Sequence, residues 1–394
     1  MKKFGLLLLL VALLAGCGVQ ENKSEVIGDA EVEEVVEETV AEEKPLEEVV
    51  EETEVTDVEE VIIEEEKEPY IAEPGRLRAL ADEKGMHVGT AIDLKYIGRE
   101  LYADSVKNDF NTIVMENMMK MASMNPNQDK YLFSGVDVAA NFAKEYDMDM
   151  RGHTLVWHQQ LPLWLTQKSG QWTKEELLTI IENYVENVVG HFKGTIYTWD
   201  VLNEIIEEDG TFRESMWYKY TGEDYISVAL RKAREVDPEA TLIINDYSVE
   251  TLNDKSDGLY NLVKGLQEDG VPIDGVGFQC HFIADQIDYD SMIANIDRFQ
   301  ALGLEVQLTE IDLRIESPVT DEKLVAQGEA YKRLMEICIE KDITTFVVWG
   351  VNDGLSWVPG FFVGYSTPLL LDRNYEQKPA YQGVYDALNQ YSEE

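Results

Sequence analysis

Trp199-Asp200-Val201-Leu202-Asn203-Glu204 follows the run Thr195-Ile196-Tyr197-Thr198 and ends in an acid. An apolar, β-branched run of this kind reads as a buried strand whose C-terminal end reaches a polar place. Carboxylates are seldom fully buried without a partner, so an Asn-Glu pair closing a strand asks for a reason. A single strand-end Glu could be a cap or one half of an ion pair. The pattern recurs, however. Leu304-Glu305-Val306-Gln307-Leu308-Thr309-Glu310 is a second short apolar strand ending in Glu, with Asp312 two residues on.

Further candidate strands are Met86–Ile92, Thr112–Glu116, Asp149–Trp157, Thr241–Asn245, Gly275–His281 and Thr344–Gly350. With Ile196–Asn203 and Glu305–Glu310 they make eight. Amphipathic stretches lie between them, among them Lys174–His191, Glu223–Val236, Gly258–Asp269, Ser291–Leu302 and Leu324–Lys341. Eight strands alternating with helices predict an α/β chain folded as a (β/α)8 TIM barrel rather than a doubly wound sheet. No Gly-rich phosphate loop follows the first strand, which argues against nucleotide binding. In a barrel of parallel strands every C-terminal end opens on one face, so Glu204 and Glu310 would meet there. Two carboxylates at one cleft suit cleavage of a glycosidic bond. One protonates the leaving oxygen; the other attacks, or guides water to, the anomeric carbon.

The chain of 394 residues carries a formal net charge of −44 and 44% hydrophobic residues. Without a basic patch, nucleic acid is not an expected partner. The acid is unevenly spread: residues 21–68 hold 22 Asp and Glu against three Lys. Met1–Gly16 opens with Lys2 and Lys3 and continues in an apolar run from Leu6 to Leu14, too short to span a bilayer comfortably. It reads as a secretory signal. Leu14-Ala15-Gly16-Cys17 resembles the bacterial lipoprotein cleavage box, which implies lipid on Cys17 and a membrane-tethered, extracellular protein; ordinary secretion with an incidental Cys is the alternative. Residues 17–68 are Glu/Val-rich, with like charges at helical spacing and Pro45 in the middle. They predict a disordered, self-repelling tether with a reach of about 40 Å. A transient acidic helix that docks on a partner is the alternative. The globular, catalytic part is expected over 69–394, as a monomer. Cys280 and Cys338 could pair or stay free thiols, and no Cys or His cluster signals a metal.

Other strand ends are polar or aromatic too. The second gives Glu116, Asn117 and, one helical turn on, Lys120; the third gives His153, Trp157 and Gln160. The fifth ends in Asn245-Asp246-Tyr247. The sixth gives Gln279 and His281, two apart and so on one face, with Cys280 turned to the other. The eighth gives Trp349 and Trp357. Taken singly, each fits ordinary packing or surface chemistry. Gathered on one barrel face they form a sugar cleft, with aromatic faces covering the ring and polar groups reading its hydroxyls.

Ten stretches in order strengthen this reading. They are Phe110-Asn111-Thr112…Glu116-Asn117…Lys120, Gly152-His153-Thr154-Leu155-Val156-Trp157-His158, Trp199–Glu204, Arg213-Glu214-Ser215-Met216-Trp217, Asn245-Asp246-Tyr247, Pro272-Ile273-Asp274-Gly275, Gln279-Cys280-His281, Thr309-Glu310-Ile311-Asp312, Trp349-Gly350…Asp353…Ser356-Trp357 and Lys378-Pro379-Ala380. From about residue 72 to 390 the chain resembles glycoside hydrolase family 10, the endo-β-1,4-xylanases. The resemblance implies a retaining mechanism on xylan and xylo-oligosaccharides, with no cofactor. Glu204 would be acid/base and Glu310 nucleophile, with His281 bonding Glu310 and Asp312 bonding His281. It implies Asn203 at the sugar 2-hydroxyl, and Glu116, Asn117, Lys120, His153, Trp157, Gln160, Gln279, Trp349 and Trp357 along the glycone-side subsites; Tyr247 joins them as a substrate contact. The chain departs from the family at Met121, where Trp is usual, and at Ser248, where Asn is frequent. Another retaining (β/α)8 glycosidase acting on β-glucan or mannan, and a non-catalytic carbohydrate-capturing lipoprotein, are the competing readings.

Overall fold

The computed structural model describes residues 68–390. The expected signal segment, Cys17 and all of the acidic linker but Glu68 lie outside the described residues.

Eight parallel strands close a barrel: β1 His87–Ile92, β2 Thr112–Met115, β3 Asp149–Val156, β4 Ile196–Asn203, β5 Thr241–Asp246, β6 Gly275–Phe278, β7 Glu305–Glu316 and β8 Thr345–Val348. Each pairs in parallel with the next, and β8 pairs with both β7 and β1 to complete the ring. Helix α1, Leu77–Lys84, precedes β1. A longer helix follows each strand: α2 Glu100–Asp109, α3 Ser134–Glu145, α4 Lys174–Phe192, α5 Asp224–Val236, α6 Asp254–Glu268, α7 Tyr289–Gln300, α8 Asp321–Glu340 and α9 Pro379–Gln390. The expected (β/α)8 TIM barrel is the fold.

Three helices start earlier than their apolar periodicity suggests. Helix α6 begins at Asp254 because Asn253 caps it by accepting from Ser256 N; α7 begins at Tyr289 because Asp288 does the same for Ser291 N. Helix α8 begins at Asp321, capped by Thr320. Polar caps and acidic first turns extend a helix beyond its first apolar contact. The helices bury one stripe each. In α5 this is Tyr225, Ile226, Ala229, Leu230 and Ala233, at helical spacing.

Two strands differ from expectation. The sixth stops at Phe278, and Cys280 turns left-handed with φ +60° before a short strand resumes at His281–Ile283. Strict alternation between Gln279 and His281 therefore does not hold, since alternation needs an unbroken strand. The seventh runs past Glu310 to Glu316, because its outer half pairs with His281–Ile283 and with Tyr365–Ser366. Cys280 and Cys338 are both buried free thiols.

The barrel interior holds a buried ion pair on adjacent strands. Arg151 on β3 grips Asp200 on β4 with two bonds, Nη1 to Oδ2 at 3.1 Å and Nη2 to Oδ1 at 2.9 Å, and Gln307 on β7 accepts from the same guanidinium at 2.8 Å. Beside it, Gly152 faces Trp199 across β3 and β4. A Cβ at Gly152 would lie 2.1 Å from the buried Trp199 ring. Gly152→Ala is expected to destabilise the fold by about 3 kcal/mol through overpacking. Urea unfolding followed by tryptophan fluorescence measures this, and an unchanged midpoint would disprove the clash.

Candidate active site

Glu204 and Glu310 end up at the same mouth of the barrel, linked through shared amide partners. Asn203 Nδ2 donates to Glu204 Oε1 at 3.3 Å, and Gln279 Nε2 reaches both Asn203 Oδ1 and Glu204 Oε1 at 3.3 Å. Asn245, from the end of β5, donates from one nitrogen to Asn203 Oδ1 at 2.9 Å and to Glu310 Oε1 at 2.7 Å. Its own carbonyl accepts from Thr309 Oγ1 at 2.6 Å, which fixes the amide's orientation.

The two carboxylates sit in unlike company. Glu204, half-buried, accepts from the Trp157 indole at 2.8 Å and otherwise from neutral amides. The backbone at Glu204 is left-handed, φ +57°, a costly conformation for a residue with a side chain. It is tied at both ends: Glu204 N donates to Asn245 O at 2.9 Å, and Glu204 O accepts from Arg213 Nε at 2.6 Å.

Glu310 is buried, and two histidines face it. His281 Nε2 lies 3.3 Å from Oε2, and His153 Nδ1 lies 3.7 Å from Oε1. Burial pushes this carboxyl up. The charge of His153, with the hydrogen bond and charge of His281, more than offsets it and holds Glu310 below the ordinary carboxylate range. His281 in turn donates from Nδ1 to Asp312 Oδ2 at 2.8 Å. Burial would lower its pKa, but Asp312 and Glu310 together push it up to about 10, so the ring is an imidazolium at neutral pH. His153 donates to Asp200 Oδ2 at 2.9 Å, which links the site to the ion pair in the barrel. Burial raises the Asp200 carboxyl, and Arg151 and His153 overcome this to lower it.

The expected sugar-facing residues line the same mouth. Trp357 donates its indole N–H to Asp312 Oδ2 at 2.9 Å and meets His281 edge-on with ring centroids 5.2 Å apart. Trp349 meets His153 edge-on at 5.0 Å and packs with Ala91, Val114 and Val347. Lys120 sits with its ammonium 4.7 Å from the Trp157 ring centre and donates to Asn117 Oδ1 at 3.2 Å, where Gln160 Nε2 also donates at 3.1 Å. Burial lowers the Lys120 pKa against the pull of Glu310, Glu116 and Glu204. Glu116 is raised by burial. Tyr247 accepts from Arg213 Nη2 at 3.0 Å, and the ammonium of Lys255 lies 3.2 Å from its ring centre. Met121 is buried in the core behind this wall; Ser248 is exposed, in the left-handed region at φ +56°.

Sequence reasoning missed several residues of the site. In the sequence Asn245 stands out only as part of a motif, yet it bridges the two acidic sides. Arg151 and Asp200 carried a signal that could have been used: opposite charges inside two adjacent apolar strands. His158 lies 3.8 Å from Glu204 Oε2 through Nδ1. Gln159 Nε2 sits 3.2 Å from the other ring nitrogen and can only donate, which puts the ring proton on Nδ1, facing Glu204. Burial, with Arg213 and Lys255, lowers the His158 pKa to about 4, so this ring is neutral. Lys255 is fully buried against Asp246, Nζ to Oδ1 3.0 Å; burial, opposed by Lys255, takes the Asp246 carboxyl up to about 7.

A (β/α)8 barrel with paired carboxylates and an aromatic, polar cleft at the C-terminal ends of its strands is a glycosidase architecture. The sequence matches the family profile described as Glycosyl hydrolase family 10 over residues 76–387. It is 42% identical to Endo-1,4-beta-xylanase B of Thermotoga neapolitana over 319 residues, which covers 80% of this chain and 92% of that one. Among solved structures, xylanase 10B from Thermotoga maritima superposes with a TM-score of 0.79 at 43% identity, covering 81% of this chain and 99% of that one. Xylanase 10B from Thermotoga petrophila RKU-1, solved in complex with xylobiose, gives 0.79 at 41% identity, covering 82% and 99%. The chain belongs to glycosyl hydrolase family 10.

The His281 pKa carries a stability consequence. Its folded value, about 10, lies above the roughly 6.5 of an unfolded histidine. The imidazolium's contribution to stability is therefore full below about pH 6.5, declines as pH rises, and is gone above about pH 10. His281→Gln is expected to be less stable than the parent at pH 6, with the gap closing by pH 10. Paired urea titrations across this range measure the gap; a gap independent of pH would contradict the assignment.

Proposed function

We propose that this protein is an endo-1,4-β-xylanase that hydrolyses internal β-1,4-xylosidic bonds of xylan by retaining double displacement. The observation that carries the reading is the unlike surroundings of the two carboxylates: Glu310 held by His281, His153 and Asn245, and Glu204 by neutral indole and amide donors. Environment is what divides the roles of two acids in one site. The names of the relatives and the xylobiose complex supply the substrate class.

In the first step Glu310 attacks the anomeric carbon and forms a covalent xylosyl-enzyme, while Glu204 passes its proton to the leaving oxygen. In the second, water attacks that carbon, Glu204 takes the water's proton, and the bond to Glu310 breaks. His281, fixed by Asp312, keeps Glu310 ionised and aimed. Asn203, whose amide rests on Glu204 in the free enzyme, turns to the sugar 2-hydroxyl, a contact that strengthens in the transition state. Glu116, Asn117, Lys120, His153, Gln160 and Gln279 read hydroxyls on the glycone side. Trp157, Trp349 and Trp357 cover the apolar ring faces, and Tyr247 extends the wall. The steps require no cofactor. Upstream, Cys17 is lipidated and the acidic linker tethers a monomeric catalytic domain outside the bacterial membrane.

Incubation with xylan, β-glucan and mannan in parallel tests the substrate. Xylan cut to short oligomers, with the β-anomer appearing first by NMR, is expected. Glucan or mannan preference would overturn the substrate, and an α-anomer first would overturn retention. Glu204→Gln should lower the rate on xylan by roughly 10²–10⁴-fold. On an aryl xylobioside whose leaving group needs no proton it should spare the first step, read as a burst of released phenol, and then stall at hydrolysis of the xylosyl-enzyme, whereas Glu310→Gln should lose the burst as well. Cys17→Ser should move the protein from the membrane fraction to the medium; unchanged membrane retention would remove lipidation from the reading.

A further inference from the structure

Glu250 is a carboxylate that no step above uses. It lies between β5 and α6 and is 3% exposed. Its Oε1 accepts the backbone N–H of Cys280 at 2.7 Å. Cys280 is the left-handed residue at which the sixth strand breaks, and a side chain at φ +60° is held there against its own preference. The residues on either side reach the two carboxylates. Gln279 before it bonds Glu204 and Asn203, while His281 after it bonds Glu310 and Asp312. Neighbouring backbone contacts frame the turn: Gln279 N donates to Asp246 O at 3.1 Å and Phe282 N to Cys280 O at 3.0 Å. The Cys280 amide is tied to a side chain instead. Burial raises the Glu250 pKa, and its carbonyl oxygen accepts in either protonation state.

We propose that Glu250 is a positioning residue for the hydrolytic reaction: by accepting the Cys280 N–H it fixes one left-handed turn that aims Gln279 at Glu204 and His281 at Glu310 together. This rests on the acid/base and nucleophile roles proposed above. An extended backbone would carry Gln279 and His281 along a straight line. The turn spreads them so that a single segment serves both carboxylates, and its geometry is transmitted to both.

The test compares Glu250→Gln, Glu250→Asp and Glu250→Leu in the full-length protein. Steady-state kinetics on a soluble xylo-oligosaccharide are read with thermal melting and with ¹⁵N NMR of the His281 ring as a function of pH. Gln keeps an acceptor at the same reach; Asp keeps the charge but withdraws the oxygen by one methylene. Gln should retain kcat within about threefold and keep the His281 titration. Asp and Leu should lower kcat by about 10–100-fold, as loss of a supporting hydrogen bond does elsewhere, with KM changed less than twofold and the His281 midpoint displaced. The proposal is overturned if Asp matches the parent while Gln fails, since charge rather than reach would then matter. It is also overturned if folded Asp or Leu variants melt lower yet keep parental kcat and His281 titration. Should Leu not fold, the Gln–Asp pair decides alone. A parent protein inactive on xylan would refute the proposed function, while the His281 titration in the variants would still judge the turn.

Discussion

The bidentate bond between Arg151 and Asp200 is the constraint on which the site rests. Both groups are wholly buried, and desolvating two ions costs several kcal/mol each unless every charge finds geometry that suits it. Here it does. The guanidinium spreads over Asp200 and Gln307, and Asp200 keeps one oxygen for His153. His153 can then face Glu310 with its proton committed below. A charge pair at the centre of the barrel thus reaches the mouth through a single imidazole. An apolar pair in its place would leave His153 free to turn, and Glu310 would lose one of the two imidazoles that face it.

The second histidine is held by a different route. His281 depends on Asp312, and Asp312 also accepts from Trp357. Glu310 therefore receives one support from inside the barrel and one from its outer wall, and the two share no partner. Glu204 receives neither. The donors to its side chain are neutral, and His158, 3.8 Å away, is kept uncharged by burial and by the cations Arg213 and Lys255. Segregating charged from neutral partners gives two chemically identical side chains unlike environments, which is what the proposed division of roles requires.

The barrel was legible because it is written in local patterns. Strands β1 to β5 and β8 match apolar, β-branched runs to within two residues, and the polar residues at their ends converge because the fold makes all such ends neighbours. The limits are equally physical. Cys280 breaks the sixth strand with a backbone angle that no side-chain alternation reveals, and the acid that secures it lies 30 positions away. Asn245 stands in the sequence only as part of the strand end Asn245-Asp246-Tyr247, although its importance comes from meeting Asn203 and Glu310, 42 and 65 positions distant. Helix starts at Asp254, Tyr289 and Asp321 were hidden because caps, not apolar period, set them. The readings of residues 1–67 rest on composition alone, because they lie outside the described residues.

Two indole rings at the barrel mouth are bonded into the carboxylate network. Trp157 spends its N–H on Glu204, and Trp357 spends its own on Asp312. Each ring is thus a brace, and under the proposed function a platform as well. Lys120 reaches toward the Trp157 face, and Trp217 donates to the Trp157 carbonyl from behind, so the platform is gripped on both sides. In the proposed function, a sugar settling on such a ring would press on a group already bonded to the acid network. A ring shifted by poor packing would move a hydrogen bond as well as a surface. Under the proposed function, substrate binding and proton transfer are therefore not separable properties of this cleft, because the indoles expected to face the sugar are bonded to Glu204 and to Asp312.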